Sequence, residues 1–217
     1  MNKSTLLKVA VLISSFLTAP VFAGVIYNNS GIFNALLDTS VVDDYENGAY
    51  SFIQNNAQMT SVLSETRYTS TGFGNLNIVS DIGSNHYYCA GCNGSFLLDF
   101  TSTSVSGTNG VFGVGFNYIN SGDPLFDALV TYGNGSTEDI ALAPGGFASS
   151  FWGITSDLEI QSIHFGLANG GFTQQGSFAI DNLTIGNART VPEPGALLLM
   201  GLGLIGLSIS RRKKAVQ

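Results

Sequence analysis

The sequence predicts an all-β protein whose body is a jelly-roll-like, two-sheet β-sandwich. Three observations support this fold class. Apolar and polar residues alternate over short segments, as they do in strands that bury one face. Glycine is abundant, at 27 of 217 residues, against a usual share of about 7%. No segment combines the length and the period of about 3.6 residues that a crossover helix needs.

The chain divides into three parts of different composition. Residues 1–23 are predicted to be a signal peptide, residues 24–190 the β-sandwich domain, and residues 191–217 a C-terminal segment with a single transmembrane helix. Six of the eight Lys and Arg residues lie in the terminal parts, whereas all 15 acidic residues except Glu193 lie between them. The central domain therefore has 14 acidic and two basic residues, a formal charge of −12, and no lysine. Such a field repels phosphate backbones and argues against nucleic acid as a partner.

The N-terminal part has the three regions of a secretory signal peptide. Lys3 and Lys8 provide a basic start, and residues 9–17 are apolar apart from two serines. Val21 and Ala23 then supply the small-to-medium side chains that precede a signal-peptidase cut. We therefore expect export through the secretion machinery and cleavage after Ala23. A membrane anchor is the alternative, but the apolar stretch is shorter than the ~20 residues that span a bilayer.

Strand signals recur from about residue 41 to residue 186 and are separated by turn signals. The clearest apolar faces are Phe96, Leu98 and Phe100; Phe112, Val114, Phe116 and Tyr118; and Ala128, Val130 and Tyr132. In the second of these strands, Gly113, Gly115 and Asn117 fall on the opposite face. Asn-Gly and Gly-Gly pairs between the segments favour tight turns. One short helix is expected, at Ile32–Asp38.

Two of the later strands change the parity of their apolar residues halfway along. The first group of each strand is Leu158 and Ile160, or Phe178 and Ile180; the second group is Ile163 and Phe165, or Leu183 and Ile185. A β-bulge near Gln161–Ser162 and another near Asp181–Asn182 would keep both halves of each strand buried.

The C-terminal part begins with Val191-Pro192-Glu193-Pro194, where two prolines prevent a strand or a helix from continuing. Residues 195–210 are apolar apart from two serines and would span ~24 Å as a helix. The basic residues Arg211, Arg212, Lys213 and Lys214 follow and are expected to stay in the cytoplasm by the positive-inside rule. This arrangement places the central domain outside the inner membrane.

This order of a Pro-Glu-Pro motif, a short helix and a basic cluster resembles the PEP-CTERM sorting signal of Gram-negative bacteria. The resemblance implies that a membrane enzyme, an exosortase, recognises Pro192, Glu193 and Pro194 and removes the helix. It also implies a precursor that is held transiently in the inner membrane and a mature protein at the cell surface or in the extracellular matrix. An ordinary tail anchor after a chance Pro-Glu-Pro is the alternative.

Two segments of the central domain, residues 151–165 and 177–183, resemble the last strands of carbohydrate-binding jelly rolls. The resemblance implies binding of extracellular polysaccharide and a structural calcium ion. Its ligands would be an acidic residue near the first strand and an aspartate on the last strand, which correspond best to Glu46 and Asp181. Calcium prefers six to eight oxygen ligands, and an acidic domain supplies carboxylates. The alternative is that these carboxylates are solvated or cap turns.

The only two cysteines, Cys89 and Cys92, are predicted to form a disulfide, because the domain is exported. A redox motif would need the start of a helix in a thioredoxin-like fold. A zinc site would need His86 and a further ligand such as His164. Apart from calcium, no cofactor is expected.

The sequence leaves three functions open. The first is a non-catalytic module that binds carbohydrate or exopolysaccharide. The second is a structural or adhesive biofilm-matrix protein that contacts other proteins. The third is a hydrolase on a jelly-roll scaffold, for which paired carboxylates would be needed; the sequence has no G-x-S-x-G nucleophile motif. Five aromatic residues could stack on sugars if they face solvent and otherwise belong to the core: Tyr87, Tyr88, Tyr118, Tyr132 and Trp152.

Overall fold

The computed structural model describes residues 24–107 and 109–189, so that the predicted signal peptide and C-terminal segment lie outside the described residues. Within these ranges there are twelve strands, two short α-helices and one 3-10 turn. The strands are β1 (Val25–Tyr27), β2 (Leu37–Asp43), β3 (Ile53–Gln54), β4 (Arg67–Ser70), β5 (Asn77–Ile82), β6 (Asn85–Cys89), β7 (Phe96–Asp99), β8 (Val111–Ser121), β9 (Asp127–Tyr132), β10 (Thr137–Ala141), β11 (Gly145–Gly166) and β12 (Ser177–Ala188). The helices are α1 (Ser30–Asn34) and α2 (Asn56–Ser61), and the 3-10 turn is Ala168–Gly170.

All twelve strands belong to one antiparallel hydrogen-bonded sheet, with the path β10-β9-β11-β8-β12-β6-β5-β3 and with β1, β2, β4 and β7 paired beside it. The sheet curls along β11, which has 22 residues. The first half of β11 pairs with β8, and its second half pairs with β9 and β7. The prediction of an all-β fold is confirmed. Where the sequence predicts two separate sheets, the structure has two layers that β11 joins into one sheet.

Aromatic rings fill the space between the two layers. The Phe116 ring on β8 lies 5.2 Å from the Phe165 ring on the second half of β11. Phe178 on β12 contacts Phe165 at 5.1 Å and Phe96 on β7 at 5.8 Å. All four side chains are almost completely buried. Because each buried phenylalanine contributes about 1.5–3 kcal/mol, this cluster holds the curled sheet closed.

Both predicted β-bulges are present. The register of β11 against β9 shifts between Ile160 and Ser162, and that of β12 against β8 shifts between Asp181 and Thr184. The apolar residues on both sides of each shift are buried: Ile160, Ile163, Phe165, Phe178, Ile180, Leu183 and Ile185. The change of parity in the sequence therefore marks the positions where an extra residue restores the buried face.

The glycine face of β8 lies beneath Phe33 of α1. A Cβ atom on Gly113, Gly115 or Gly153 would lie about 2.7–3.2 Å from atoms of the Phe33 ring. Phe33 is completely buried as a result. Glycine is needed at these positions because the ring packs directly on the backbone of β8 and β11.

The helices differ from the prediction. The expected helix at Ile32–Asp38 is present only as α1, which begins earlier, after the N-cap Asn29. Leu37 and Asp38 lie instead in β2, which pairs with β12. Helix α2 was not predicted, although Asn55 and Gln58 form a reciprocal capping box at its start. In the described part of the chain, no helix has the length and hydrophobicity needed to cross a membrane; the predicted membrane helix lies beyond it.

Candidate functional site

A cleft of about 320 Å³ opens where the loop after β2 meets the β5–β6 hairpin. The loop provides one wall and the hairpin provides the other. The lining residues combine carboxylates, a histidine, small polar groups and aromatic rings: Tyr45, Glu46, Asn47, Gly48, Tyr50, Phe52, Val79, Ser80, Asp81 and His86. A cleft with a few oriented polar groups beside apolar surface is the usual form of a small-ligand site.

His86 joins the two walls of this cleft. Its backbone N–H donates to Glu46 Oε1 at 3.0 Å, and its Nδ1 lies 2.6 Å from Glu46 Oε2. Its other ring nitrogen, Nε2, lies 2.8 Å from Asp81 Oδ1. Both ring nitrogens thus face carboxylates, which is the arrangement that an imidazolium satisfies by donating twice.

The charges in this cluster reinforce each other. The hydrogen bond to Glu46 is the main reason why the pKa of His86 is raised above its usual value. Conversely, the hydrogen bond from the His86 backbone, followed by that from its ring, lowers the pKa of Glu46. Both shifts therefore favour the charged form of each group. Their side chains remain 41% and 47% exposed, so the pair orients the loop more than it stabilises the fold.

Asp43 supports the loop from below. It is 6% exposed, and its Oδ1 accepts the backbone N–H of Tyr45 at 3.1 Å. Its Oδ2 accepts the hydroxyls of Tyr50 at 2.5 Å and Tyr68 at 2.9 Å. Burial raises the pKa of Asp43, although these hydrogen bonds oppose the shift. The carboxylate and the tyrosines fix the base of the cleft.

Asp181, the second predicted calcium ligand, lies at the bulge in β12 and is 3% exposed. Its Oδ1 accepts the backbone N–H of Asn182 at 2.6 Å, and its Oδ2 accepts Asn85 Nδ2 at 3.4 Å. Burial raises the pKa of Asp181, and the negative charges of Glu46 and Asp44 raise it further.

Calcium binding remains a prediction. Among residues 24–107 and 109–189, no three Asp, Glu, His or Cys side chains are grouped so as to hold a metal ion. Glu46 and Asp181 would supply two carboxylates, whereas calcium takes six to eight oxygen ligands. Backbone carbonyls and water would have to provide the others.

The five aromatic residues considered as sugar platforms are all core residues. Tyr87, Tyr88, Tyr118, Tyr132 and Trp152 are each no more than 6% exposed. Among the side chains that the structure describes, the exposed aromatic rings are instead Phe52, at 62%, and Phe172, at 68%. Phe52 lines the cleft, and sequence reasoning missed it. Its place just before the two-residue strand β3 leaves its side chain uncovered.

The second histidine lies in a separate network. His164 is buried on β11, its Nε2 lies 2.9 Å from Thr71 Oγ1, and its ring contacts Phe172 at 5.4 Å. Burial lowers the pKa of His164. Because His86 contacts Glu46 and Asp81 instead, the two histidines do not share a zinc site.

The two cysteines are joined as a disulfide in the structure. Cys89 ends β6 and is buried, while Cys92 follows in the tight turn that the bridge closes. The paired sulfurs are thus not available as thiolate ligands for zinc. The bridge closes the chain just after the hairpin that carries His86.

The β-sheet body resembles solved carbohydrate-binding modules at low similarity. Two mutants of CBM29-2, which was studied for ligand recognition by family 29 carbohydrate-binding modules, match with TM-scores of 0.39 and 0.40. Each match has 16% sequence identity and covers 72% of this chain and 99% of the other. A search of curated proteins found no match. This likeness assigns no ligand to the cleft.

The C-terminal segment, which lies outside the described residues, matches a known sorting signal. Residues 190–213 match the PEP-CTERM protein-sorting motif. The match contains Pro192, Glu193 and Pro194 and the basic residues Arg211, Arg212 and Lys213; Lys214 is the next residue. The chain is therefore exported and processed by an exosortase, as its resemblance to this motif implied.

Proposed function

We propose that the exported chain is a non-catalytic carbohydrate-binding module of the cell surface or extracellular matrix, and that sugar binds in the cleft beside Phe52. The observation that carries the proposal is the position of His86 between Glu46 and Asp81. This contact fixes two hydrogen-bond acceptors in a cleft that also has an exposed aromatic ring.

These groups match the two surfaces of a sugar ring. Sugar hydroxyls donate to carboxylate oxygens, and Glu46 and Asp81 have acceptor capacity beyond their bonds to His86. The C–H face of a sugar is apolar and packs on an aromatic ring such as that of Phe52. The charge of −12 on the central domain favours neutral polysaccharide over acidic polysaccharide.

The carboxylates of the cleft support binding better than hydrolysis. Glycoside hydrolysis needs a carboxyl group with a raised pKa to act as the acid and a second carboxylate opposite to it. Glu46 has a lowered pKa and is hydrogen-bonded to His86. Asp43 and Asp181 are nearby carboxyl groups with raised pKa values, but both are buried under other side chains. This arrangement favours a binding module over an enzyme.

The proposed route to the surface uses both ends of the chain. The secretion machinery exports the precursor, and signal peptidase cuts after Ala23, with Val21 three residues before the cut. The apolar segment at residues 195–210, which is predicted to be a membrane helix, then holds the precursor in the inner membrane of a Gram-negative cell, with Arg211–Lys214 in the cytoplasm. Cleavage by exosortase near Pro194 releases the domain to the surface or matrix.

Co-sedimentation of the purified protein with neutral polysaccharide from the producing organism tests this proposal. The matched variants are Phe52→Ala in the cleft and Phe172→Ala, which removes an equally exposed ring elsewhere. We expect Phe52→Ala to weaken binding about tenfold, equivalent to ~1.4 kcal/mol, and Phe172→Ala to bind as the wild type does. Equal binding by all three proteins, or no binding at all, would rule out the cleft as the sugar site.

A matrix protein that contacts other proteins is the second candidate, and one observation favours it. Strand β3 is an end of the sheet path, and Phe52 and Ile53 are 62% and 58% exposed there. An apolar, unpaired strand edge can take up a strand from a second protein. Self-association that Phe52→Ala abolishes, in a protein that binds no polysaccharide, would select this function.

A further inference from the structure

The backbone nitrogen of Gly24 has two hydrogen-bond acceptors. It lies 2.9 Å from the Tyr132 hydroxyl oxygen and 3.2 Å from Glu138 Oε2. The Tyr132 hydroxyl donates its own hydrogen to Glu138 Oε2. Tyr132 lies on β9 and Glu138 lies on β10, and these two strands pair with each other in antiparallel orientation. A phenol oxygen and a carboxylate thus converge on one nitrogen at the start of the domain.

This arrangement suits an ammonium group better than a peptide N–H. An amide nitrogen has one hydrogen, which two acceptors would have to share, whereas an ammonium has three. The Tyr132 oxygen is free to accept because its hydrogen is directed to Glu138. A positive charge beside a carboxylate also makes the hydrogen bond stronger than a neutral one.

The predicted signal-peptide cut creates such an ammonium at this position. Hydrolysis breaks the bond between the Ala23 carbonyl carbon and the Gly24 nitrogen. The water oxygen leaves with Ala23 as part of its carboxylate, and the Gly24 nitrogen, with the protons that it gains, becomes the α-ammonium group of the mature chain.

We infer that Glu138 and Tyr132 form a binding site for the α-ammonium group of Gly24, so that removal of the signal peptide fastens β1 to the sheet. Strand β1 has three residues and pairs with β11 through Val25, Ile26 and Tyr27. Val25 and Ile26 are 51% and 49% exposed, so apolar burial holds this strand weakly. The new ion pair supplies an anchor that the uncut precursor lacks.

The site also requires glycine as the first residue of the mature chain. A Cβ atom on Gly24 would lie 2.2 Å from Ile154 Cδ1 and 2.5 Å from Ile154 Cγ1. Ile154 is completely buried and cannot move aside without disturbing the core. The residue after the cut is therefore limited by the fold as well as by the peptidase.

The other carboxylates on the strands around Gly24 have other partners or are exposed. Asp139 on β10 accepts the backbone N–H of Asn169, and Asp157 on β11 is exposed. Burial, followed by the hydrogen bond to Glu138, raises the pKa of the Tyr132 hydroxyl, which therefore stays neutral. Glu138 is thus the carboxylate in contact with the Gly24 nitrogen.

The absence of lysine from residues 24–190 allows a direct test, because the N-terminal amine is then the only amine of that domain. The exported protein is recovered from the producing cells and labelled with an amine-reactive reagent over a range of pH. Mass spectrometry of the N-terminal peptide gives its first residue and the pKa of its amine. We expect Gly24 as the first residue and an amine pKa above the ordinary range of about 7.7–8.0.

The variant Glu138→Gln should return the pKa of the N-terminal amine to that ordinary range. Tyr132→Phe should also lower this pKa, but by less than Glu138→Gln does. Asp38→Asn, which removes one exposed carboxylate from β2, is the charge-matched control and should change nothing. If Glu138→Gln is not exported, the titration of the wild-type amine decides alone. An ordinary amine pKa in the wild type, or a mature chain that does not begin at Gly24, would overturn the inference.

Discussion

Asp81 and His86 are register partners in the β5–β6 hairpin, and His86 Nε2 lies 2.8 Å from Asp81 Oδ1. Through its other ring nitrogen, His86 also contacts Glu46, which is 40 residues earlier in the chain. One histidine of the hairpin therefore contacts the loop after β2, whose base Asp43 holds from below. We expect the order of this loop to depend on the charge of that histidine.

We expect the loop at residues 44–50 to be most ordered between the pKa of Glu46 and the pKa of His86. The folded-state pKa of His86 is raised, so its contribution is complete below its unfolded value of about 6.5 and is lost as pH rises through the folded value. The folded-state pKa of Glu46 is lowered, so its contribution is lost as pH falls through that value. Amide hydrogen exchange of the loop, corrected for the intrinsic rate, measures this order.

In this experiment His86→Gln should remove the loss of protection at alkaline pH. Ser84→Ala, in the exposed turn of the same hairpin, is the control and should keep the wild-type profile. Identical profiles for the wild type and His86→Gln would show that the ion pair does not order the loop.

Asp43→Ala should destabilise the fold by about 2 kcal/mol, because the hydroxyls of Tyr50 and Tyr68 lose their acceptor. The loss of stability is limited because the Tyr68 hydroxyl retains its hydrogen bond with the Tyr45 hydroxyl, at 3.1 Å. Denaturant unfolding gives the free energy directly. Asp44→Ala removes a neighbouring but exposed carboxylate and should change stability by less than about 0.5 kcal/mol. Equal effects of the two substitutions would contradict this account of Asp43.

If Glu46 and Asp181 bind calcium, calcium should raise the melting temperature of the wild-type protein and a chelator should reverse the effect. At a concentration of 100 times Kd the expected stabilisation is about 2.7 kcal/mol. Asp181→Asn should abolish the response, whereas Asp99→Asn, which changes a carboxylate paired with Arg67 in another part of the sheet, should not. A wild-type melting temperature that is the same with calcium and with chelator would eliminate the calcium site.

The sorting motif predicts that the mature protein ends near Pro194. Mass spectrometry of the surface-associated protein should find C-terminal peptides that stop there, without Arg211–Lys214. Glu193→Ala should leave the precursor in the inner membrane, because the resemblance to the PEP-CTERM signal implies that an exosortase recognises the Pro-Glu-Pro motif. Glu159→Ala, which removes a carboxylate from β11, should be processed normally. Full-length protein with an intact basic tail at the cell surface would refute processing.

The β-bulges could be predicted from the sequence because they depend on the pattern of neighbouring residues. The bulges at Ile160–Ser162 and Asp181–Thr184 could be located because a buried strand must keep one parity on its inner face. Helix α2 could also have been found, since Asn55 and Gln58 are a recognisable capping box. The curl of the sheet could not be predicted in this way. It depends on the pairing of the two halves of β11 with strands that are distant in the sequence.

The candidate site was predicted only in part. Glu46 and Asp181 were selected as an acidic residue near the first strand and an aspartate on the last strand, and calcium binding by them remains a prediction. The contact between Glu46 and His86 joins segments 40 residues apart, and no spacing rule indicates it. Phe52 was missed because an isolated phenylalanine in a sequence is usually a core residue, and its exposure results from the shortness of β3.

The proposed binding site for neutral sugar is the cleft between Glu46 and Asp81. The most direct measurement is the change in NMR chemical shifts when neutral oligosaccharides from the producing organism's matrix are added to the isotope-labelled protein. Binding in the cleft predicts saturable shifts at Glu46, Phe52, Asp81 and His86, with none at Phe172. Shifts centred on Phe172, or an unchanged spectrum at millimolar sugar, would show that sugar does not bind in the cleft.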